Sequence, residues 1–326
     1  MTLEELLELL AKQRNEINKY DLATIKRIVQ AYGQIYQRLV PYIRNIEFLI
    51  QLNEGITVAA LKRSVEYSTL INFINQELTD FTGFAKIELN TASTTALQLA
   101  VEHVNNFFNA LGIRPQLITA DAATVLINYL DPEGELVKRI GMWAPNVIDQ
   151  VTQSLIQGVN LGRNPRVIAS DLRKAFGVGL TDALRTTRTA QIYAYREATR
   201  LNYIANSDVV KGWIWFAELG DNRTCMSCRA MHGSVHPLTE TLSDHFCGRC
   251  TSLALLDGVN YGLEDGEEHF NGLPESTQIE LMGRSRWEAY EAGKFQFSQL
   301  SKIYNDPVYG EMRGETPLKD LINGMD

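Results

Sequence analysis

Cysteine is missing from most of this sequence of 326 residues, since all four cysteines lie between residues 221 and 251. This distribution argues against a scaffold held by disulfides along its length. Long apolar runs are missing as well, and none approaches the ~20 residues that a membrane-spanning helix needs. The first ten residues, MTLEELLELL, carry no basic segment. We therefore expect a soluble protein without a signal peptide, made in a cytoplasm.

Positive charge is also scarce, and the formal net charge is −8. From Leu253 to Asp326 there are fourteen acidic and six basic residues, a difference of −8, so the chain from Met1 to Ser252 balances to zero. Bulk electrostatics therefore do not predict nucleic-acid binding, and any contact with DNA would need a local basic patch.

The common catalytic motifs are absent from the sequence. It has no glycine-rich phosphate loop, no nucleophile elbow and no His-Glu-x2-His metalloprotease motif. We therefore predict that the protein is not an enzyme. A hydrolase is the alternative class, because Asp221 and His232 lie in the same stretch as the cysteines.

That stretch reads DNRTCMSCRAMHGSVHPLTETLSDHFCGRCT and holds two Cys-x2-Cys pairs separated by eighteen residues. Structural zinc takes four ligands at the corners of a tetrahedron, and two pairs at this spacing can supply them from two sides. Four thiolates leave no position for water, so such a site is structural and not catalytic. The predicted zinc ligands are Cys225, Cys228, Cys247 and Cys250.

Other interpretations of the cysteine stretch stay open. His245 can replace Cys247 as the fourth ligand, which gives a closed site of three cysteines and one histidine. The cysteines can instead form disulfides or stay free thiols, whereas a thioredoxin-like motif would need a βαβ unit that the sequence does not indicate. We expect His232 and His236 to lie outside the ligand shell. Gly248 should form a tight turn, since glycine tolerates positive φ.

The first half of the sequence has the apolar spacing of helices. One helix is predicted over residues 3–52, with a break or kink at Pro41. A second is predicted over residues 58–81, ended by Gly83, and residues 90–93 offer caps for a third. The apolar stripe of the first helix comprises Leu22, Ile25, Val29, Tyr32, Tyr36 and Leu39.

The segment that follows begins with a connector, Gly162–Pro165, and a short helix that Gly177-Val178-Gly179 should end. The next helix is predicted to reach about Asn206, with an alanine-rich face for close helix packing. Its other side can bind DNA phosphates or an acidic protein surface. It can equally be a solvated face, or pair with the acidic C-terminal region. This side, the arginine stripe, comprises Arg185, Arg188, Arg196 and Arg200.

An aromatic strand is predicted from Lys211 to Ala217. Because side chains alternate in a strand, Trp213 and Trp215 should lie on one face, and Ile214 and Phe216 on the other. We expect these residues to form core around the metal loop.

The cysteine stretch resembles the core of the phage Mu F-like minor head proteins. The usual pattern of that family is Asp-x-Arg-Thr-Cys-x2-Cys, a glycine, then His-Pro-x-Cys-Arg-Cys. Here Phe246 replaces the proline, Gly248 replaces the first cysteine of the last motif, and Cys247 lies one place earlier. This departure leaves the fourth ligand open between Cys247 and His245. Through the Leu-Pro-x3-Gln turn and the Trp-Glu-Ala-Tyr segment, the similarity extends over residues 163–321.

The helical patterns and the resemblance together predict a mainly α fold with a small α+β part. A helical docking region at residues 1–161 would precede a zinc-stapled Mu F-like domain at residues 162–326, with its zinc loop at residues 221–251. A fragment starting near Gly162 should then fold and bind zinc on its own.

The same resemblance implies a minor head (capsid) protein of a tailed phage or prophage, synthesised in the host cytoplasm. It would lie in the virion, in the capsid interior near the portal. Its expected partners are the portal protein, capsid or scaffolding protein, and packaged DNA. Its expected roles are head morphogenesis and DNA packaging or ejection, with Zn²⁺ as a structural ion. The alternatives are a zinc-dependent DNA-binding protein that uses the arginine stripe, and a hydrolase or toxin-related enzyme.

Overall fold

The computed structural model describes residues 3–119, 135–220 and 222–323. These residues fold mainly as α-helices, as the sequence predicts, with small antiparallel sheets in the second half of the chain. The helices of the first part are α1 (Leu3–Leu52), α2 (Val58–Arg63), α3 (Val65–Ala110), α4 (Glu135–Gly141), α5 (Trp143–Asn160) and α6 (Pro165–Ala205).

The second part of the chain carries the strands. Its elements are β1 (Val210–Phe216), α7 (Met226–Met231), β2 (Val235–His236), β3 (Thr251–Leu256), α8 (Gly266–Asn271), α9 (Glu275–Met282), α10 (Arg284–Glu291), a 3₁₀ helix (Phe297–Leu300), β4 (Ser301–Asp306), β5 (Gly310–Glu315) and α11 (Leu318–Asn323). A three-stranded antiparallel sheet has the order β2-β1-β3, and β4 and β5 form a separate hairpin.

No helix in the described part of the chain combines the length and the hydrophobicity needed to cross a bilayer.

The chain divides into two compact units, and the division does not follow the expected boundary between residues 161 and 162. The sheet unit consists of Met1–Asn18, Ser93–Tyr129 and Gln191–Asp326, and the helical unit of Lys19–Ala92 and Leu130–Ala190. Three of the boundaries between the units therefore fall inside α1, α3 and α6.

The buried face of α1 in the helical unit is rotated from the stripe that the sequence predicts. Tyr32 and Leu39 are buried as expected, whereas Leu22 and Val29 are exposed. The buried side chains recur every three or four residues, as an amphipathic helix requires. They are Ile28, Tyr32, Ile35, Leu39, Ile43, Ile46 and Ile50.

Two predicted helix breaks do not occur. Helix α1 continues through Pro41, which lies on the exposed face, where water can satisfy the carbonyl group left without a partner. Helix α3 continues through Gly83 and through residues 90–93. A glycine inside a helix costs only about 1 kcal/mol, and α3 buries side chains every three or four residues on both sides of it.

The expected helix end at Gly177-Val178-Gly179 is also continuous helix, within α6. A Cβ at Gly179 would lie 2.5 Å from the hydroxyl of Tyr32 and 2.5 Å from a methyl group of Val147. This glycine therefore permits close packing inside the helical unit and does not end a helix.

The core of the sheet unit surrounds β1, whose two faces are both buried, as the sequence predicts. Trp213 and Trp215 are each 1% exposed and share one cluster with Leu6 of α1 and Phe108 of α3. A fragment starting near Gly162 would lack those two side chains. The expectation that such a fragment folds alone is therefore not supported by this core.

Candidate metal centre

The first Cys-x2-Cys pair lies at the start of α7. Cys225 is the N-cap residue, and its Sγ atom accepts a hydrogen bond from the backbone N–H of Cys228 at 3.4 Å. This short turn places both sulfur atoms on the same side of the chain. Cys228 is buried and Cys225 half-buried, so the pair lies at the edge of the core.

His245 approaches this pair from the second half of the loop. Its Nε2 atom lies 3.3 Å from the Sγ atom of Cys225 and 3.2 Å from that of Cys228. Its Nδ1 atom lies 2.9 Å from the carbonyl oxygen of Phe246. If Nδ1 carries the proton and donates to this carbonyl, the lone pair of Nε2 is directed to a metal, as is usual for metal-binding histidines.

Cys250 completes the set of sulfur donors. The potential ligand atoms of Cys225, Cys228 and His245 lie within 4.8 Å of one another, and so do those of Cys228, Asp244 and Cys250. The two groups share Cys228 and together could hold a metal ion. No cysteine of the chain is in a disulfide.

Asp244 is placed to support the ligands, because both oxygens of its carboxylate accept hydrogen bonds from N–H groups that would remain when a metal binds. One oxygen accepts from the N–H of His245 at 2.8 Å and from the thiol of Cys228 at 3.2 Å. The other accepts from the N–H of Cys250 at 3.2 Å and from Arg196 at 2.8 Å. The bond from Cys228 would be lost with its proton, but three of the roughly four lone-pair positions of the carboxylate would stay occupied. The favoured ligands are therefore Cys225, Cys228, His245 and Cys250.

Cys247, one of the four predicted ligands, belongs to neither group. Its backbone has φ 58°, which is uncommon for a residue with a Cβ. The structure thus favours the alternative ligand, His245, over Cys247.

Gly248 has a different role from the one expected. No positive φ is found there, so the turn does not depend on it for that reason. Instead, a Cβ at this position would lie 2.0 Å from a carboxylate oxygen of Asp244. Only glycine leaves room for this close approach.

The charges of the cluster are coupled to one another. The hydrogen bond from Cys228, together with the bond and charge of His245, lowers the pKa of Cys225. Burial opposes charge on His245, but the bond to Cys225 and the carboxylate of Asp244 raise the pKa of the imidazole to about 9. Burial likewise opposes charge on Asp244, yet the guanidinium of Arg196 holds the pKa of that carboxyl below its usual value. A bound metal would displace the protons of the ligands.

His232 and His236 lie outside the ligand groups, as expected. The Nδ1 atom of His232 accepts a hydrogen bond from the N–H of Ala217 at 3.0 Å, and burial lowers the pKa of this histidine to about 4. The ring of His236 stacks on Trp213 with centroids 4.2 Å apart. Asp221, the other residue considered for hydrolysis, lies outside the described part of the chain.

The arginine stripe does not form one uniform surface. Arg196 is 7% exposed and faces the metal loop, where it pairs with Asp244. Arg200 is partly buried and donates to the carbonyl of Leu238 and to Glu197. These contacts are intramolecular, but they involve the metal loop and α6 itself, not the acidic C-terminal region.

The other two arginines of the stripe belong to the helical unit. Arg188 pairs with the buried Asp21 at 3.2 Å, and Arg185 is exposed. The DNA-binding role of the stripe stays a prediction.

Sequence reasoning missed Asp244 and the role of Arg196 at this centre. The only local signal for Asp244 is its place next to His245. No sequence signal distinguishes Arg196 from the other arginines of α6, because its burial depends on contacts with residues 48 to 54 positions further along the chain.

Comparison with protein families identifies the segment that holds this centre. The model of the family described as "Phage Mu protein F like protein" matches residues 149–252. The resemblance to the Mu F-like family is thereby confirmed. The Mu F-like segment contains α6, β1 and all four favoured ligands, whereas residues 1–148 and the similarity after Ser252 lie outside the match. No curated protein and no solved structure matches the chain.

Proposed function

We propose that this chain is a minor head protein of a tailed phage or prophage and acts in head morphogenesis. The observation that carries the proposal is the Mu F-like match over residues 149–252, which includes the whole metal cluster. We place the protein in the virion, in the capsid interior near the portal. Packaging or ejection of DNA is the stage at which it would act.

The metal in this proposal is a structural Zn²⁺ ion. Three sulfurs and one imidazole nitrogen form a closed tetrahedral donor set, which leaves no position for a reacting water. The ion would join the Cys225 turn to the His245–Cys250 segment, and its binding free energy would stabilise the loop. On this basis we propose that the centre is not catalytic.

For docking to the portal protein we propose a surface of the helical unit. A cavity of about 450 Å³ lies where α1 and α5 end and α6 begins, and Ile50, Ile56, Val159 and Ile168 are among its apolar lining residues. Arg163 and Arg166 also line it.

Two large apolar side chains next to the lining residues in sequence are exposed. Leu52 and Leu161 are 67% and 66% exposed. Large exposed apolar side chains next to a cavity are typical of a protein interface. Arg163 is already paired with Asp171 at 3.1 Å, whereas Arg166 favours a partner segment that combines apolar with acidic side chains.

The function is tested on purified particles and on a strain that lacks the gene. We expect mass spectrometry to find the chain in virions at far lower abundance than the major capsid protein, and we expect the deletion to reduce the yield of DNA-filled heads. Virions that contain none of the chain, together with normal heads from the deletion strain, would refute the proposal.

The docking surface is tested by co-purification with the portal protein encoded in the same phage genome. Leu52→Glu combined with Leu161→Glu should reduce the amount of chain recovered with the portal. Ile87→Glu is the matched control, since this residue is 69% exposed on α3 and does not line the cavity. Equal recovery of both variants with the portal protein would show that docking does not depend on this surface.

A further inference from the structure

Arg196 is the only arginine of the stripe whose guanidinium is buried against the metal loop. Its Nε atom donates to the carbonyl oxygen of Cys250 at 2.9 Å, and its Nη2 atom donates to the same oxygen at 2.6 Å. Nη2 also lies 3.1 Å from the carbonyl oxygen of Gly248 and 2.8 Å from the Oδ2 atom of Asp244. Arg196 thus contacts three residues of the metal loop: Asp244, Gly248 and the favoured ligand Cys250.

Asp244 links Arg196 to the ligands through hydrogen bonds. Its side chain is 1% exposed and holds the backbone N–H groups of His245 and Cys250, the two favoured ligands of the second half of the loop. A buried carboxylate is costly unless it is paired, and Arg196 supplies the pairing charge. Gly248 allows the carboxylate to reach this position, as its missing Cβ leaves the space that Asp244 fills.

We propose that Arg196 is a positioning residue, which acts through Asp244 to hold His245 and Cys250 in place for the metal. The inference rests on the metal site of the proposed function and adds the residue that preorganises half of it. The partners that orient metal ligands commonly affect metal affinity by roughly 10- to 100-fold.

Lysine cannot replace arginine in this role. The guanidinium donates from two nitrogens in a fixed planar fork, and here that fork contacts a carbonyl and a carboxylate at once. A lysine keeps the charge but presents a single flexible ammonium group, so it cannot hold the carboxylate of Asp244 in the same fixed orientation.

The first test measures metal binding by the full-length chain. Arg196→Lys should lower zinc affinity, measured by competition with a chromogenic chelator, by roughly 10-fold or more. It should also change the thiolate-to-metal and ligand-field bands of the protein loaded with Co²⁺. Arg200→Lys is the matched control on the same helix and should leave both readouts unchanged, because its hydrogen bonds go to Leu238 and Glu197.

A purely structural role would give a different pattern. Arg196→Lys would then lower the thermal midpoint while the Co²⁺ spectrum and the zinc affinity stay those of the wild type, and that result would overturn the proposal. The variant Asp244→Asn tests whether Arg196 affects zinc binding through Asp244. If Arg196 acts through Asp244, Arg196→Lys should have little further effect on zinc affinity in the Asp244→Asn background.

A second measurement separates this proposal from the metal site itself. In the metal-free chain, hydrogen exchange of the amides of His245 and Cys250 should be faster in Arg196→Lys than in the wild type and in Arg200→Lys. If the wild type binds no zinc, the proposed metal function fails and the exchange rates alone decide on Arg196. Unchanged exchange at both amides would overturn the positioning role.

Should Arg196→Lys fail to fold, Gly248→Ala tests the same contact from the loop side. Its added methyl group would collide with the carboxylate of Asp244 while Arg196 stays intact. We expect lower zinc affinity and faster exchange of the Cys250 amide, and wild-type values for both would contradict the proposal.

Discussion

At the scale of single residues, Cys247 belongs to neither group of potential ligands and has an uncommon backbone conformation. The left-handed conformation, with φ 58°, occurs one residue before the glycine that packs against Asp244. In the usual family pattern the cysteine takes the position of Gly248. The close contact with Asp244 leaves no room for a side chain there, and His245 is the favoured candidate for the ligand position.

The ranking of two substitutions tests this assignment. His245→Ala should lower zinc affinity by roughly 10-fold or more, because it removes a ligand, whereas Cys247→Ser should leave the affinity close to that of the wild type. Competition with a chromogenic chelator measures both. The opposite ranking would restore Cys247 as the ligand.

A buried histidine outside the metal centre gives a prediction about pH. The ring of His103 lies 2.9 Å from the hydroxyl of Tyr195 and 2.9 Å from the carboxylate of Glu16. Burial lowers the pKa of His103 below 6.5, although Glu16 opposes this shift. The folded chain therefore favours the neutral imidazole. Its stabilising contribution is fully present above pH 6.5 and decreases as the pH falls through the lowered pKa.

His103→Gln removes this titration and keeps hydrogen-bonding groups. Between pH 7 and pH 5 the thermal midpoint of the variant should fall less than that of the wild type. The difference between the two proteins is the quantity to measure, since the metal centre and the other histidines are common to both. Parallel curves, or a steeper fall in the variant, would contradict the predicted direction of the pKa shift.

At the scale of elements, the long helices continue through residues that locally favour an end. Gly83, Gly177 and Gly179 each cost a helix only about 1 kcal/mol, which the burial of neighbouring apolar side chains can outweigh. The sequence therefore predicts that helices form but not where they end. The alanine face of α6 was predictable, and Ala194 and Ala198 pack in one cluster with Ala96 of α3.

Substitutions at two glycines of α6 test whether close packing in the helical unit depends on glycine. Gly179→Ala should destabilise the chain by about 1–3 kcal/mol, because its methyl group would overlap with Tyr32 and Val147. Gly177→Ala has nothing within 4 Å of the added Cβ and should stabilise the helix by up to about 1 kcal/mol. Chemical denaturation of both variants measures the free energy of unfolding. A neutral Gly179→Ala would show that the close packing does not depend on glycine.

At the scale of the whole molecule, each unit is assembled from distant parts of the chain. Leu6, Phe108 and Trp213 share one core although about a hundred residues separate each from the next. Helical patterns, the strand at β1 and the cysteine spacing could be read from local sequence. The two units could not be predicted from local sequence, because their cores depend on which helices pack together. The burial of Arg196 has the same cause, because its contacts lie 48 to 54 positions further along the chain.

The central claim is that the Mu F-like segment holds one zinc ion with three sulfur ligands and one nitrogen ligand. X-ray absorption at the zinc edge tests it most directly on the purified full-length chain. We predict about one zinc per chain, with three sulfurs near ~2.3 Å and one nitrogen at ~2.0–2.1 Å. Four sulfurs would return Cys247 to the ligand set. A folded, reduced protein that contains no zinc would contradict the account of this centre.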